Sequence, residues 1–91
     1  MKDAQQGVYS EVADSQLDEL EAGPDMGLYN AVLVNCDLIF RKPSEAQANS
    51  TAITTDQGIR FRLPVPGYPP FKIFWSTDGP TIEAVFPFPT R

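Results

Sequence analysis

Apolar residues recur at helical spacing through the N-terminal half of the chain. Within 13–22 they form one stripe at offsets of four and three, which predicts a first helix with Asp14 or Ser15 as its N-cap. A glycine–proline pair follows and ends this helix, because proline cannot continue it. A second apolar stripe spans 26–41 and predicts the most buried helix, capped by Asp25. The two helices and their short loop form a helical hairpin.

The C-terminal half alternates apolar and polar residues, as half-buried strands do. This period of two predicts strands over 59–63, 71–76 and 81–86, joined by turn-rich segments into an antiparallel meander. The segment 51–55 is rich in β-branched residues, which favour an extended conformation. Partial alternation over 7–12 predicts a short strand before the first helix, paired at an edge of the sheet.

Together these elements predict the order β-α-α-β-β-β in a single domain of 91 residues. The fold class is α+β. We expect a two-layer domain in which the N-terminal helical hairpin packs on one face of a twisted antiparallel sheet. The other face of that sheet is then left without helices, and the residues that point to it are the candidates for function.

Charge and residue content exclude several classes of protein. The chain has a net charge of −5, and its acidic groups concentrate in residues 1–37, which hold eight acids and one base. Residues 38–91 hold six bases and four acids, so this half is mildly positive. An acidic chain disfavours simple binding to a phosphate backbone, since that binding needs accumulated lysine and arginine. Ordinary solvated surface charge also accounts for the asymmetry.

The chain has one cysteine and no histidine. Zinc sites and histidine-based triads need more of these residues, so we expect neither, and we expect no cofactor. Cys36 lies in an apolar run and is expected to be a buried small hydrophobe. The N-terminus lacks the apolar core of a signal peptide, and no apolar run is long enough to cross a bilayer. We therefore expect a cytoplasmic protein without membrane association.

Four short segments carry a resemblance to a known family. They are 38–43 (Leu-Ile-Phe-Arg-Lys-Pro), 58–62 (Gly-Ile-Arg-Phe-Arg), 71–75 (Phe-Lys-Ile-Phe-Trp) and 82–86 (Ile-Glu-Ala-Val-Phe). The first resembles the end of the second helix, and the other three resemble the last three strands, of the RelE/ParE superfamily of bacterial toxin–antitoxin systems. The resemblance covers roughly residues 8–89.

The resemblance implies two modes of action. RelE-like members are ribonucleases that cleave messenger RNA, usually in the ribosome, with basic residues in place of a metal and often a tyrosine or histidine near the C-terminus. ParE-like members bind DNA gyrase. Both kinds are neutralised by an antitoxin that wraps the surface of the toxin.

Three cations are the candidate catalytic residues if the chain is a ribonuclease. Arg60 and Arg62 lie on one face of a predicted strand, where two guanidinium groups can clamp an RNA phosphate and stabilise developing charge. The alternative is that strand alternation simply places them on a solvated face. Lys72, on the neighbouring strand, either joins them or pairs with Glu83, and the two readings stay open.

Two weaker candidates lie near the C-terminus. Tyr68 is the only tyrosine of the C-terminal half and is either a proton-transfer or stacking group or, with more weight, a loop aromatic that packs on prolines. Arg91 lies at a terminus, where side chains usually fray. Neither residue supplies a clear general base, and the region where a terminal tyrosine or histidine would act holds phenylalanine and proline.

Apolar side chains on the same face favour protein binding. Alternation predicts that Phe74 and Val85 are exposed among Arg60, Arg62 and Lys72, and apolar residues ringed by cations are typical of a protein-binding surface. The leading hypothesis is a toxin-like component that binds an antitoxin and a gyrase-like target. The alternatives are a metal-independent endoribonuclease acting on messenger RNA in the ribosome, and a non-toxic interaction module, dimeric through an exposed sheet edge.

Overall fold

The computed structural model of the chain describes residues 8–87. It has an α+β fold with three helices and one five-stranded mixed sheet among these residues, so the predicted order β-α-α-β-β-β is wrong in lacking one helix and one strand. No helix within 8–87 combines the length and the apolar character needed to cross a bilayer. The elements in chain order are β1 (Val8–Tyr9), α1 (Glu11–Ala22), α2 (Met26–Arg41), α3 (Pro43–Ala48), β2 (Thr51–Thr55), β3 (Gly58–Pro64), β4 (Lys72–Ser76) and β5 (Thr81–Phe86).

The sheet is mixed rather than wholly antiparallel. Its strand order is β1-β5-β4-β3-β2, and β2 to β5 form the antiparallel meander. The prediction of an antiparallel sheet is wrong at β1, which pairs parallel with β5 in the register Val8 with Thr81 and Tyr9 with Ile82. The direction of β1 depends on the path of the chain through both helices and the whole meander, and local sequence carries no signal for that path.

Helix α1 begins earlier than its apolar stripe predicts. Ser10 is the N-cap, since its hydroxyl accepts a hydrogen bond from the Ala13 N–H at 3.0 Å. The strand predicted over 7–12 is therefore wrong beyond residue 9, and residue 7 lies outside the described residues. The caps predicted at Asp14 and Ser15 are also wrong, because both residues lie inside the helix.

Helix α2 matches its prediction at both ends. The Asp25 carboxylate accepts a hydrogen bond from the Leu28 N–H at 3.0 Å and caps the N-terminus. The buried side is as predicted, and Cys36 is fully buried, which confirms its expected place in the core. The core-facing residues of this helix are Leu28, Val32, Cys36 and Ile39.

One face of the sheet, here called the core face, packs against the helices. Trp75 lies at its centre with no exposed surface, and its ring stacks at a tilt on Phe61 with centroids 5.2 Å apart. The indole N–H donates to the Ser50 hydroxyl at 3.1 Å, so the one polar atom of this buried ring has a partner. The other buried residues that the strands of this face contribute are Leu63, Ile73, Ile82 and Val85.

A β-bulge in β5 changes which residues face the core. Phe74 pairs with Ala84 but Trp75 pairs with Ile82, so Glu83 is an extra residue without a partner across β4. Val85 consequently pairs with Ile73 on the core face and is fully buried. The prediction that Val85 is exposed is therefore wrong, because regular alternation fails at the bulge.

Helix α1 and its N-cap residue supply partners for two backbone groups of β5 at and beside the bulge. The Ser10 hydroxyl donates to the Glu83 carbonyl, and the Gln16 side-chain oxygen accepts a hydrogen bond from the Val85 N–H at 2.7 Å. Unpaired buried backbone groups are costly, so these contacts stabilise the bulge and attach α1 to β5.

Candidate functional site

The face of the sheet opposite the core face, here called the open face, carries a groove of about 480 Å³. The helices of the described chain pack on the core face, so this groove is bounded by strand and loop residues only. Two cations, two aromatic rings and two prolines line it. They are Arg62, Pro70, Lys72, Phe74, Phe86 and Pro87. We refer to this as the open-face groove.

The two aromatic rings form its apolar wall. Phe74 and Phe86 meet edge to face, with centroids 4.9 Å apart and planes at 70°. Phe86 is 45% exposed, whereas most phenylalanine surface is buried in a folded chain. Both rings point away from the core because Phe74 alternates with Trp75 and because the bulge turns Phe86 to the open face. An exposed apolar surface of this kind is available to a partner.

Arg62 and Lys72 form the cationic side of the open-face groove. Arg62 is directly opposite Phe74 in the β3–β4 register, and Lys72 is opposite Phe86 in the β4–β5 register. The Arg62 Nε is buried and has no hydrogen-bond partner among residues 8–87. The Lys72 ammonium lies 3.4 Å from the Pro70 carbonyl oxygen. Neither side chain forms an ion pair within residues 8–87, so each charge can pair with an acidic group of a bound molecule.

Arg60 is separated from the other two cations. Its Nε forms an ion pair with the Glu83 carboxylate at 3.4 Å, and its other guanidinium contacts are the carbonyls of Gln57 and Ile59. The predicted three-cation cluster is therefore reduced to Arg62 and Lys72 at the groove. The alternative pairing of Glu83 with Lys72 is wrong, because the bulge places Glu83 beside Arg60 and within 3.5 Å of the Ser76 hydroxyl.

The remaining candidates lie elsewhere. The Tyr68 hydroxyl comes so close to Gly27 that a Cβ there would collide with it. Tyr68 therefore packs at the start of α2 and not at the open-face groove, and its ring also contacts the core. Arg91 lies outside the described residues. Among residues 8–87, no three acidic, cysteine or histidine side chains lie close enough together to hold a metal ion.

Sequence reasoning missed Phe86 and the two prolines of the groove. Regular alternation assigned Phe86 to the core side of β5, with Ile82 and Ala84. Only the unpaired Glu83 moves it to the open face, and no residue type in this segment marks the bulge. Pro70 and Pro87 flank β4 and β5 in the chain and come together because those strands are antiparallel neighbours.

The buried thiol of Cys36 in α2 and the partly exposed phenol of Tyr9 in β1 interact with each other, and neither residue lines the groove. Burial raises the pKa of the Cys36 thiol to about 12, although a hydrogen bond with Tyr9 opposes the shift. Burial also raises the pKa of Tyr9, and Cys36 adds to that shift. Both groups are neutral in the folded protein, and a neutral buried thiol is a poor nucleophile.

We expect Cys36 to make stability fall at alkaline pH. The unfolded thiol ionises near pH 8.5 whereas the folded thiol stays neutral to about pH 12, so its contribution is fully present below about pH 8.5 and is lost above it. Between about pH 8.5 and 10.5 the free energy of unfolding should fall about 2 kcal/mol more in the wild type than in Cys36→Ala. Urea titrations at both pH values measure this, and equal losses in the two proteins would contradict it.

Comparison of the chain with protein-family models, with curated proteins and with solved structures gives no match.

Proposed function

We propose that the chain acts by protein binding, as the toxin-like component of a bacterial toxin–antitoxin pair in the cytoplasm. Its regular partner in this proposal is an antitoxin, and a gyrase-like protein is the candidate target. The partner contacts the open-face groove. The observation that carries the proposal is the combination of two cations with an exposed apolar wall on the sheet face that the helices leave uncovered.

The lining of the open-face groove suits a protein segment. Phe74 and Phe86 offer apolar surface to an aliphatic or aromatic anchor, and aromatic anchors dominate the binding energy of many interfaces. Arg62 and Lys72, beside that surface, can each receive a carboxylate or a backbone carbonyl. A partner segment with an acidic residue next to an apolar one would satisfy both sides of the groove.

Net charge favours a protein partner over RNA. The chain has a net charge of −5. Because Arg60 is paired with Glu83, only two cations, Arg62 and Lys72, remain at the groove among the described residues. Each phosphate contact adds to RNA affinity because it releases counterions, and two such contacts give only a small affinity. Apolar contact does not depend on that accumulation of positive charge.

A ribonuclease is the second candidate, because Arg62 and Lys72 line the same groove and could hold one phosphate between them. Its test is cleavage of messenger RNA by wild type and by Arg62→Ala. Cleavage by the wild type that the substitution removes would favour this candidate over protein binding. Absence of cleavage in both proteins would reject it.

The proposal is tested first by induced expression in a bacterial host. We expect growth arrest, relieved when the protein encoded beside this chain is expressed with it. A block of DNA replication would indicate a gyrase-like target, and a block of translation would indicate the ribonuclease. Normal growth would reject the toxin role and leave a non-toxic interaction module.

Binding to the neighbouring protein tests the open-face groove itself. Phe86→Ala removes an exposed ring and should weaken binding by at least about tenfold, which is about 1.4 kcal/mol. Val34→Ala is the matched control, because Val34 is exposed on α2 and does not line the groove. Calorimetric titration gives both affinities. Equal affinity of Phe86→Ala and wild type would overturn the assignment of the groove.

A further inference from the structure

The edge strand β2 lacks the features that usually protect a sheet edge. It lies at the end of the sheet and pairs only with β3, so the backbone groups on its outer side have no strand partner among residues 8–87. Natural edges are blunted by charged residues, proline or bulges. The five residues of β2 are Thr, Ala, Ile, Thr and Thr, and their register with β3 is regular. Such an edge is a template for a further strand.

The helical layer also stops short of this edge. Ala52 and Thr54 are exposed on the side of β2 that continues the core face. Ile59 of β3, directly opposite Thr54, is 57% exposed although it alternates with the buried Phe61. An exposed apolar residue therefore lies beside an unprotected strand, and a strand added to β2 would extend the sheet next to it.

We propose that the occupant of this edge is a second copy of the chain, paired antiparallel through β2. A two-fold axis at Ile53 places it opposite its own counterpart, Thr51 opposite Thr55, and Ala52 opposite Thr54. These are an apolar pair, a hydroxyl pair and a small pair, and cross-strand pairs of the first two kinds stabilise sheets. No pair in this register brings like charges together. The inference is independent of the proposed function.

Charge distribution permits this contact in spite of the net charge of −5. The acidic helix α1 packs on β5 and β1, at the opposite side of the sheet from β2. In the pair, the two β5 strands are separated by seven strand spacings, or about 34 Å. The Debye length in physiological salt is about 8 Å, so repulsion between the two α1 helices is screened.

The symmetry of the pair has a functional consequence. Each copy contributes five strands to one continuous sheet, and the two-fold axis runs perpendicular to that sheet. Both open-face grooves therefore lie on the same side of the assembly. A dimeric partner could occupy the two grooves together, which raises its overall affinity through effective concentration.

Charge substitutions at Ile53 test the proposal. Wild type should sediment at twice the chain mass and dissociate on dilution. Ile53→Lys and Ile53→Glu each place like charges directly opposite one another across the two-fold axis and should each be monomeric. An equimolar mixture of the two variants should form a dimer again, because lysine then faces glutamate. Val34→Lys adds the same charge at an exposed position on α2 and should stay dimeric.

Restoration in the mixture separates direct pairing from misfolding, since an unfolded variant would not recover. The inference is overturned by a wild type that is monomeric at every concentration or by Ile53→Lys that dimerises like wild type. A mixture that stays monomeric would overturn the two-fold register at Ile53. Far-ultraviolet circular dichroism of each variant checks that the fold is retained.

Discussion

Replacing Trp75 with alanine should lower the free energy of unfolding by about 3–5 kcal/mol, because it removes the largest fully buried side chain of the core. The total free energy of unfolding of a small domain is about 5–15 kcal/mol, so this substitution should remove much of the protein's stability. The cavity would open between Phe61, Ile73 and Ile82 at the centre of the sheet. Urea denaturation followed by circular dichroism measures the loss, since Trp75 is the only tryptophan and tryptophan fluorescence disappears with it.

Two milder variants separate packing from hydrogen bonding at Trp75. Trp75→Phe keeps a ring against Phe61 and should cost less than Trp75→Ala. Ser50→Ala leaves the ring in place but removes the acceptor of the indole N–H, which should cost about 1–3 kcal/mol for an unsatisfied buried donor. A Trp75→Ala protein as stable as Ser50→Ala would show that burial is not the main contribution.

Replacing Ser10 with alanine should lower the free energy of unfolding by about 2 kcal/mol, which is more than the loss of a helix cap alone would cause. The Ser10 hydroxyl accepts from the Ala13 N–H and donates to the carbonyl of Glu83. Loss of the cap costs about 1 kcal/mol, and the unpaired carbonyl at the bulge adds about 1 kcal/mol or more. The free energy of unfolding from urea titration measures the sum.

Ser15→Ala is the matched control for Ser10. Ser15 is exposed inside α1 and caps nothing, and alanine is the better helix former, so this variant should be neutral or stabilising by up to about 0.5 kcal/mol. Equal effects of the two substitutions would mean that neither the helix cap nor the contact between Ser10 and Glu83 contributes to stability. A hydrogen-exchange comparison should further show faster exchange at the Val85 amide in Ser10→Ala, because α1 loosens from β5.

The open-face groove illustrates how a strand bulge creates a site. Without the extra residue Glu83, Phe86 would face the core and Val85 would face the groove. The bulge also puts the Glu83 carboxylate beside Arg60, which removes one cation from the cluster that alternation predicts. The same irregularity therefore supplies the apolar wall and reduces the positive charge, and both changes favour a protein partner over RNA.

Local sequence determined the elements whose signals lie within a few residues. Helix α2 has its apolar stripe, its Asp25 cap and its stop before Pro43 inside one continuous segment, and the structure has the predicted bounds. The alternation of β3 and β4 placed Phe61 and Trp75 in the core, and Arg62, Lys72 and Phe74 on the other face. In each case the direction of a side chain follows from the repeat of its own helix or strand, so the residues of that one element are enough to predict it.

Tertiary structure alone decided the features that join distant parts of the chain. The parallel pairing of β1 with β5, the hydrogen bond from the Ser10 hydroxyl to the Glu83 carbonyl and the ion pair of Arg60 with Glu83 are all contacts with β5. Their partners are separated by up to 73 positions for Ser10 and Glu83. Such contacts form because packing of α1 on β5 brings the groups together and because buried polar groups must be paired, and neither condition is visible in a local pattern.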